Sequence, residues 1–481
     1  MYLGIDLGTS SLKILLADEN GKPVDGARAE YPVSCPRAGW SEQSPDDWYD
    51  ALLAAVKELG ARRDLQAVRA VGFCGQMHGL VALDKGGKAI RPAILWNDGR
   101  AAEECEYLNE TVGKDKLLKW TGNIAYPGFT APKILWLKKH EPERFKRISK
   151  IMLPKDYLVW KMSGVFAGDA SDNSGTLYFD VKNKKWSAEM LDIMGVESGQ
   201  LPKIFESYEA VGKIAPAFAR ETRLNPNALV AAGGGDQAVG AVGTGTVGEG
   251  ALSVSLGTSG VVFAGLDAFK AADGGLHSFC HADGKYHLMG CMLSCAASVD
   301  FWLKNILRTK DFAADVAAIG GAKADGLYFL PYLAGERSPI NDPGAKGAFY
   351  GLTLSHTRAD MTRAVVEGVC LGLKDCYEAM KKSGVRAKFA GVIGGGAKSP
   401  EWLQILAGCL GLEIRTVGAG EGGGLGAAIL AMVADGAYEN VEKACGALIA
   451  YDKSYFPTRS ETDCYDRKYA AYKTLGGVKT G

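Results

Sequence analysis

The chain has 481 residues, more than one ordinary core accommodates, so two domains or more are expected. Acids and bases balance at 55 each, and a zero net charge argues against a nucleic-acid surface, which needs a basic excess. No apolar run reaches the roughly 18 residues of a membrane span. The eleven cysteines are odd in number and sit mostly in apolar stretches such as "GCMLSCAAS", so they read as buried reduced thiols of a cytoplasmic protein. No basic n-region precedes the first strand, and no signal peptide is expected.

In chain order, residues 2–7 ("YLGIDL") and 11–17 ("SLKILLA") read as strands around a Gly-Thr-Ser turn, followed by an Asn-Gly hairpin in "DENGKPV". "SPDDWYDALLAAVKEL" reads as an amphipathic helix with Ser44 as N-cap and Pro45 at the first helical position. "AVRAVGFCGQMHGLVALD" gives two apolar runs flanking Gly75–Gly79. The first half continues through "TAPKILWLKKHEPERF" to "LVAAGGGDQAVGAVG". Near residue 250 the strand–Gly-Thr-Ser–strand element returns as "ALSVSLGTSGVVFAG", and the second half reaches the helical stretch "GGLGAAILAMVADGAY". A repeat of half the chain predicts two related α/β domains, residues 1–244 and 245–481, with a cleft between them.

A strand–Gly-Thr–strand hairpin gathers backbone N–H groups and a hydroxyl at one point, a nest suited to phosphate oxygens. Alone, each turn is also an ordinary hairpin; as a pair they suggest one polyphosphate held from two sides. Only the first copy carries an acid, Asp6, a hard oxygen ligand suited to Mg²⁺ through water. Lys13 follows with a positive charge. Neither glycine cluster is a Walker A loop, and "GGGDQAVG" lacks the dinucleotide fingerprint.

"GIDLGTSSLK" and "SLGTSG" resemble the two phosphate loops of the sugar-kinase, Hsp70 and actin superfamily. Within it the chain resembles the FGGY carbohydrate kinases. "GFTAPKILWLKKH" (128–140) fits that family's first signature, and "GAFYGLTLSHTRADMTRAVVE" (347–367) fits its second, with Phe349, Gly351, Leu352, Asp360 and Glu367 in place. "GQMHG", "AILWNDGR" and "LPKDYL" are most similar to the members that act on D-xylulose.

The resemblance implies two actin-like (ribonuclease H-like) domains, each a mixed five-stranded sheet with helices on both faces. It implies ATP-dependent phosphorylation of D-xylulose at O5, with ATP and Mg²⁺ as cofactors and the small sugar as partner. Nucleic acid and membrane are not expected as partners. The oligomeric state stays open, a homodimer being compatible. Asp236, after three glycines, matches the family's catalytic base; on local sequence alone it is equally a helix-capping aspartate. Asp6 would orient the metal shell, with Asp236 as a second candidate ligand. Met77, His78, Asp236 and Gln237 would read the sugar, with Asn123 as an addition. Trp96, Asn97, Asp98 and Arg100 would join them; a surface turn with an Asp98–Arg100 salt bridge is the alternative. The nucleotide would meet Gly8, Thr9, Ser10 and Lys13 on one side. On the other it would meet Gly257, Thr258, Gly395, Gly396 and Ala397, although Ser399-Pro400 departs from the family's usual asparagine. "HSFCH" (277–281) has metal-like spacing but no partner motif, so strand packing is expected there. The rival readings are another FGGY kinase, acting on ribulose, gluconate or a related polyol, and a noncatalytic ATP-binding switch.

Overall fold

The computed structural model describes residues 1–271, 275–418 and 422–476. The chain forms two compact units. The first comprises Met1–Val247, Ser278–Tyr286 and Ala419–Ile449; the second comprises Gly248–His277, His287–Gly418 and Ala450–Gly481.

The strands of the first sheet are β1 (Tyr2–Leu7), β2 (Ser11–Ala17), β3 (Pro23–Glu30), β4 (Ala70–Gly75), β5 (Ala210–Lys213), β6 (Leu229–Ala231) and β7 (Gly234–Gly235). Their order is β5-β6-β4-β1-β2-β3, with β7 also paired to β4. The sheet is mixed: β1 runs antiparallel to β2 and parallel to β4. The second sheet repeats this arrangement with β8 (Ala251–Leu256), β9 (Gly260–Leu266), β10 (His277–Cys280), β11 (Tyr286–Met292), β12 (Phe389–Ile393), β13 (Glu413–Val417) and β14 (Tyr451–Tyr455). Here β8 is antiparallel to β9 and parallel to β12, in the order β10-β11-β9-β8-β12-β13-β14.

Each sheet therefore has seven strands where five were expected. Most additions lie at sheet edges, but β7 pairs with the inner strand β4. The two-residue β7 is all glycine, so it carries no alternating side-chain pattern from which a strand could be read.

Six helices matter for the site: α1 (Pro45–Gly60), α2 (Thr130–His140), α3 (Asp236–Gly243), α4 (Arg358–Lys382), α5 (Pro400–Leu410) and α6 (Gly422–Ala434). In the first unit, strand alternation sends Leu3, Ile5 and Leu7 to a core shared with Trp48, Leu52 and Val56 of α1. Tyr2 and Cys74 pack on the opposite face with α6 residues Ala428 and Ile429. Pro45 opens α1 as expected, but the Ser44 side chain makes no capping bond.

Glycine brings α6 onto the strands backbone to backbone. A Cβ at Gly4 would lie 1.9 Å from the Gly424 carbonyl oxygen, and one at Gly72 would lie 1.9 Å from that of Ala427. Gly423, in the first turn of α6, faces Asp6: a Cβ there would sit 2.9 Å from Asp6 Oδ2. In the second unit α4 and α5 pack on one another and on the sheet. No described helix is long and apolar enough to cross a membrane.

Candidate active site

Three neighbouring strands of the first sheet end together. Asp6 of β1 is in register with Cys74 of β4, and Gly234 and Gly235 of β7 pair with Cys74 and Gly75. The chain leaves these ends at the Gly-Thr-Ser turn, at Gln76-Met77-His78, and at Asp236. Strand ends of this kind are where open α/β sheets collect their ligands.

Asp236 is the first residue of α3, following Gly235 at the N-cap, so it is not itself the capping residue. Its carboxyl is pushed up to about 7, by burial first and then by the charge of Asp6. Hydrogen bonds from the backbone and side chain of Gln237 pull the other way. Two carboxylates that repel in this manner form a donor set into which a divalent cation fits, since it would relieve the repulsion. The same Asp6 charge, added to burial, pushes the Cys74 thiol up.

Met77 lies against the glycine that precedes this acid, and His78 follows Met77 in the chain. Met77 is buried, and a Cβ on Gly235 would come within 2.9 Å of its Sδ. His78 takes a left-handed backbone conformation (φ 68°), which a non-glycine residue adopts only when its surroundings impose it. Its Nδ1 lies 2.7 Å from the Gly175 carbonyl oxygen, so Nδ1 carries the proton it donates. In the neutral ring, Nε2 then has the acceptor lone pair. The imidazole stacks on Phe129, with ring centroids 4.7 Å apart.

The Trp96–Arg100 turn is tied to the first Gly-Thr-Ser turn. The Trp96 indole N–H donates to Thr9 Oγ1 at 3.0 Å, and that hydroxyl is 3.3 Å from Gln76 Oε1. Trp96 remains 43% exposed, with ring surface left for a ligand. Asn97 is exposed. Asp98 and Arg100 form the salt bridge: Asp98 Oδ1 accepts from Arg100 N and Nε, and Oδ2 accepts from a terminal guanidinium nitrogen of Arg100 and from Ser41 N. The guanidinium also pairs with Glu42 at 2.7 Å and lies over Trp40. The turn residues Gly8 and Ser10 bond within the local fold, through Gly8 N to Ser11 O and Tyr31 N to Ser10 O. Lys13 faces Asp6 across the β1–β2 register. Asn123 uses its amide on both polar groups of the Ser278 backbone.

In the second unit the repeated turn borders a cavity of about 770 Å³, lined by Gly257, Thr258, Phe312, Val316, Gly395, Gly396 and Ser399 among others. Its dimensions and mixed lining suit a nucleotide. Gly394 (φ 95°) lets β12 turn into the loop; a Cβ there would strike the Leu256 backbone at 2.7 Å. Ala397 lies in the same turn, its N–H bonded to the Gly394 carbonyl. Ser399 is the N-cap of α5, accepting from Trp402 N, and its hydroxyl donates to Glu401. That is the physical work of Ser399-Pro400 here: it starts a helix.

Two domain models together span most of the chain: the N-terminal domain of the FGGY family of carbohydrate kinases matches residues 1–243, and its C-terminal domain matches 252–434. The chain belongs to the FGGY family of carbohydrate kinases. It is 43% identical to the xylulose kinase of Escherichia coli strain K12, over 99% of this chain and 98% of that protein. Among solved structures it is similar to a xyloylose kinase from Brucella ovis (38% identity, TM-score 0.94, 98% of each chain). A gluconate kinase from Lactobacillus acidophilus matches as well in shape (26% identity, TM-score 0.94, 98% of this chain and 97% of that one). Membership makes the protein a carbohydrate phosphotransferase; shape does not choose its sugar.

Sequence reasoning missed a buried polar network next to Asp236. Lys155, fully buried, pairs with Asp156 at 2.5 Å and Asp169 at 3.0 Å and donates to the Ala232 carbonyl. Asp169 also accepts from the hydroxyls of Ser171 and Ser207, and Ser171 Oγ accepts from Gly235 N, next to Asp236. Asp156, Asp169 and Asp172 could by spacing hold a metal, their ligand atoms lying within 4.8 Å of one another. Lys155 already supplies positive charge there, however, and the set reads as an ion cluster built around an ammonium. Burial works against that ammonium, but Asp156 and Asp169 hold its pKa above the lysine range. The signals in the sequence were a lysine beside an acid in "LPKDYL" and the polar run "ASDNSGT". In "HSFCH", His281 bonds the Ala282 N–H and the Thr246 carbonyl, as a packed strand residue would.

Proposed function

We propose that this FGGY kinase transfers the terminal phosphoryl group of ATP to O5 of D-xylulose, yielding D-xylulose 5-phosphate and ADP. The observation that carries the proposal is Asp236: an acid at a strand end, next to the Gly235 that Met77 packs against, with its carboxyl pushed up to about 7 by burial and Asp6. A base with a pKa near the working pH is best placed to take a hydroxyl proton. The high identity to a xylulose kinase over nearly the whole chain supports the choice of sugar.

In the proposed reaction, Asp236 takes the O5 proton as O5 bonds to the γ-phosphorus and the bond from that phosphorus to the β,γ-bridging oxygen breaks. His78 and Met77 hold the sugar, with Gln237 and the Trp96–Arg100 turn completing the wall; the Asp98–Arg100 pair stiffens that turn. Asp6 would hold the metal shell, with Asp236 as a second candidate ligand. Mg²⁺, when bound, neutralises charge on the phosphates. Gly8, Thr9, Ser10 and Lys13 on one side, and Gly257, Thr258, Gly395, Gly396 and Ala397 on the other, receive the nucleotide. Residues 1–244 thus supply the sugar and metal groups and the first Gly-Thr-Ser turn, and 245–481 the other nucleotide groups. The product tests the reading: phosphorus and carbon NMR of the reaction mixture should show the phosphate on O5, and phosphate on another hydroxyl would refute it.

A further inference from the structure

His78 is held in its left-handed turn by α2 and the residue that precedes it. The Lys133 Nζ donates to the His78 carbonyl at 2.8 Å and to the Gly128 carbonyl at 2.7 Å. Thr130 Oγ1 donates to the same His78 carbonyl at 3.2 Å, and Phe129 stacks on the imidazole. Local physics opposes this placement of a lysine. It is fully buried, and it lies in the first turn of a helix, where the helix dipole disfavours a cation. Burial lowers the Lys133 pKa to about 7, partly offset by Asp98. Ammonium and neutral amine alike retain the two N–H donors that the two carbonyls need. A residue that breaks two local rules while bonding one strained peptide is there for that peptide.

We infer that Lys133 is a positioning residue for the sugar: with Thr130 it fixes the left-handed His78 peptide and so aims the imidazole at the substrate. The inference rests on the reading of His78 as a sugar contact. It predicts that Lys133 acts on sugar affinity only through His78.

The test is a double-mutant cycle in steady-state kinetics with D-xylulose and Mg-ATP. Lys133→Met should raise the sugar KM about tenfold or more, the scale expected for a misplaced polar reader, and leave the ATP KM within about twofold. Thr130→Val, which keeps the buried amine, should raise the sugar KM about threefold, the loss of one neutral hydrogen bond. In a His78→Ala background neither substitution should add more than about twofold, since the shared pathway is already cut. Full effects in both backgrounds, or an unchanged sugar KM in Lys133→Met and Thr130→Val, would overturn the inference. If Lys133→Met does not fold, the Thr130→Val cycle decides alone. An unaltered sugar KM in His78→Ala would instead sink the reading of His78 as a sugar contact, and with it this inference.

Discussion

The Nδ1 of His78 donates to the Gly175 carbonyl across 2.7 Å, and Gly175 has no side chain to keep the ring away. A Cβ at Gly175 would lie 2.3 Å from His78 Cε1, far inside van der Waals contact. Gly175→Ala should therefore push the imidazole out of place and raise the sugar KM about tenfold, while ATP affinity measured without sugar stays unchanged. Isothermal calorimetry with each ligand checks both halves. An alanine variant that binds sugar normally would show that His78 is not held for the sugar.

Asp236→Asn should keep the fold and nucleotide binding but lose at least about 100-fold in kcat, since a general base contributes roughly 10²–10⁴. The pH profile gives the same group a second test. A carboxyl raised to about 7 holds its proton at pH 6, so the base form grows as pH rises. The wild-type kcat/KM should climb tenfold per unit below pH 7 and level above it. A flat profile from pH 5 to 8 would place the working pKa elsewhere.

Lys155→Met removes the cation from a buried set of acids. Breaking one partner of such a cluster costs about 3–5 kcal/mol, because the charges left behind are uncompensated. Burial pushes the carboxyls of Asp156 and Asp172 up even with Lys155 present. Without it, the folded-state pKa values rise further, so the stability deficit should grow as pH rises from the ordinary carboxylate range up to them and level off above. Urea unfolding of both proteins at pH 5 and pH 8 measures this; an equal deficit at the two values would contradict the charge argument.

Thr258→Val addresses the second Gly-Thr-Ser turn. If the Thr258 hydroxyl meets phosphate as proposed, the substitution should weaken ATP binding or slow transfer by about tenfold and leave xylulose binding intact. Unaltered ATP affinity together with unaltered turnover would remove Thr258 from the phosphate site.

What could be read in advance divides along physical lines. Apolar runs around a repeated Gly-Thr-Ser turn made β1, β2 and their repeat visible, and an acid after three glycines made Asp236 visible, because both signals are local. The Asp98–Arg100 turn left two readings open, and the structure shows the salt bridge, with both carboxylate oxygens engaged. Lys133, Lys155 and Gly175 gave no sequence signal that named their partners. Their partners are 55 residues away for the Lys133–His78 bond, 77 for Lys155–Ala232 and 97 for His78–Gly175, distances that only folding closes. The glycines of β7 gave no strand signal, since a strand without side chains has no period.

The most direct test of the central claim is a substrate panel with coupled ADP detection, run on the purified chain with Mg-ATP and D-xylulose, ribulose, gluconate and glycerol. The account predicts sugar-dependent ADP formation with the highest kcat/KM for D-xylulose, abolished in Asp236→Asn. A higher kcat/KM for ribulose or gluconate, or ADP formation indifferent to any sugar, would contradict it.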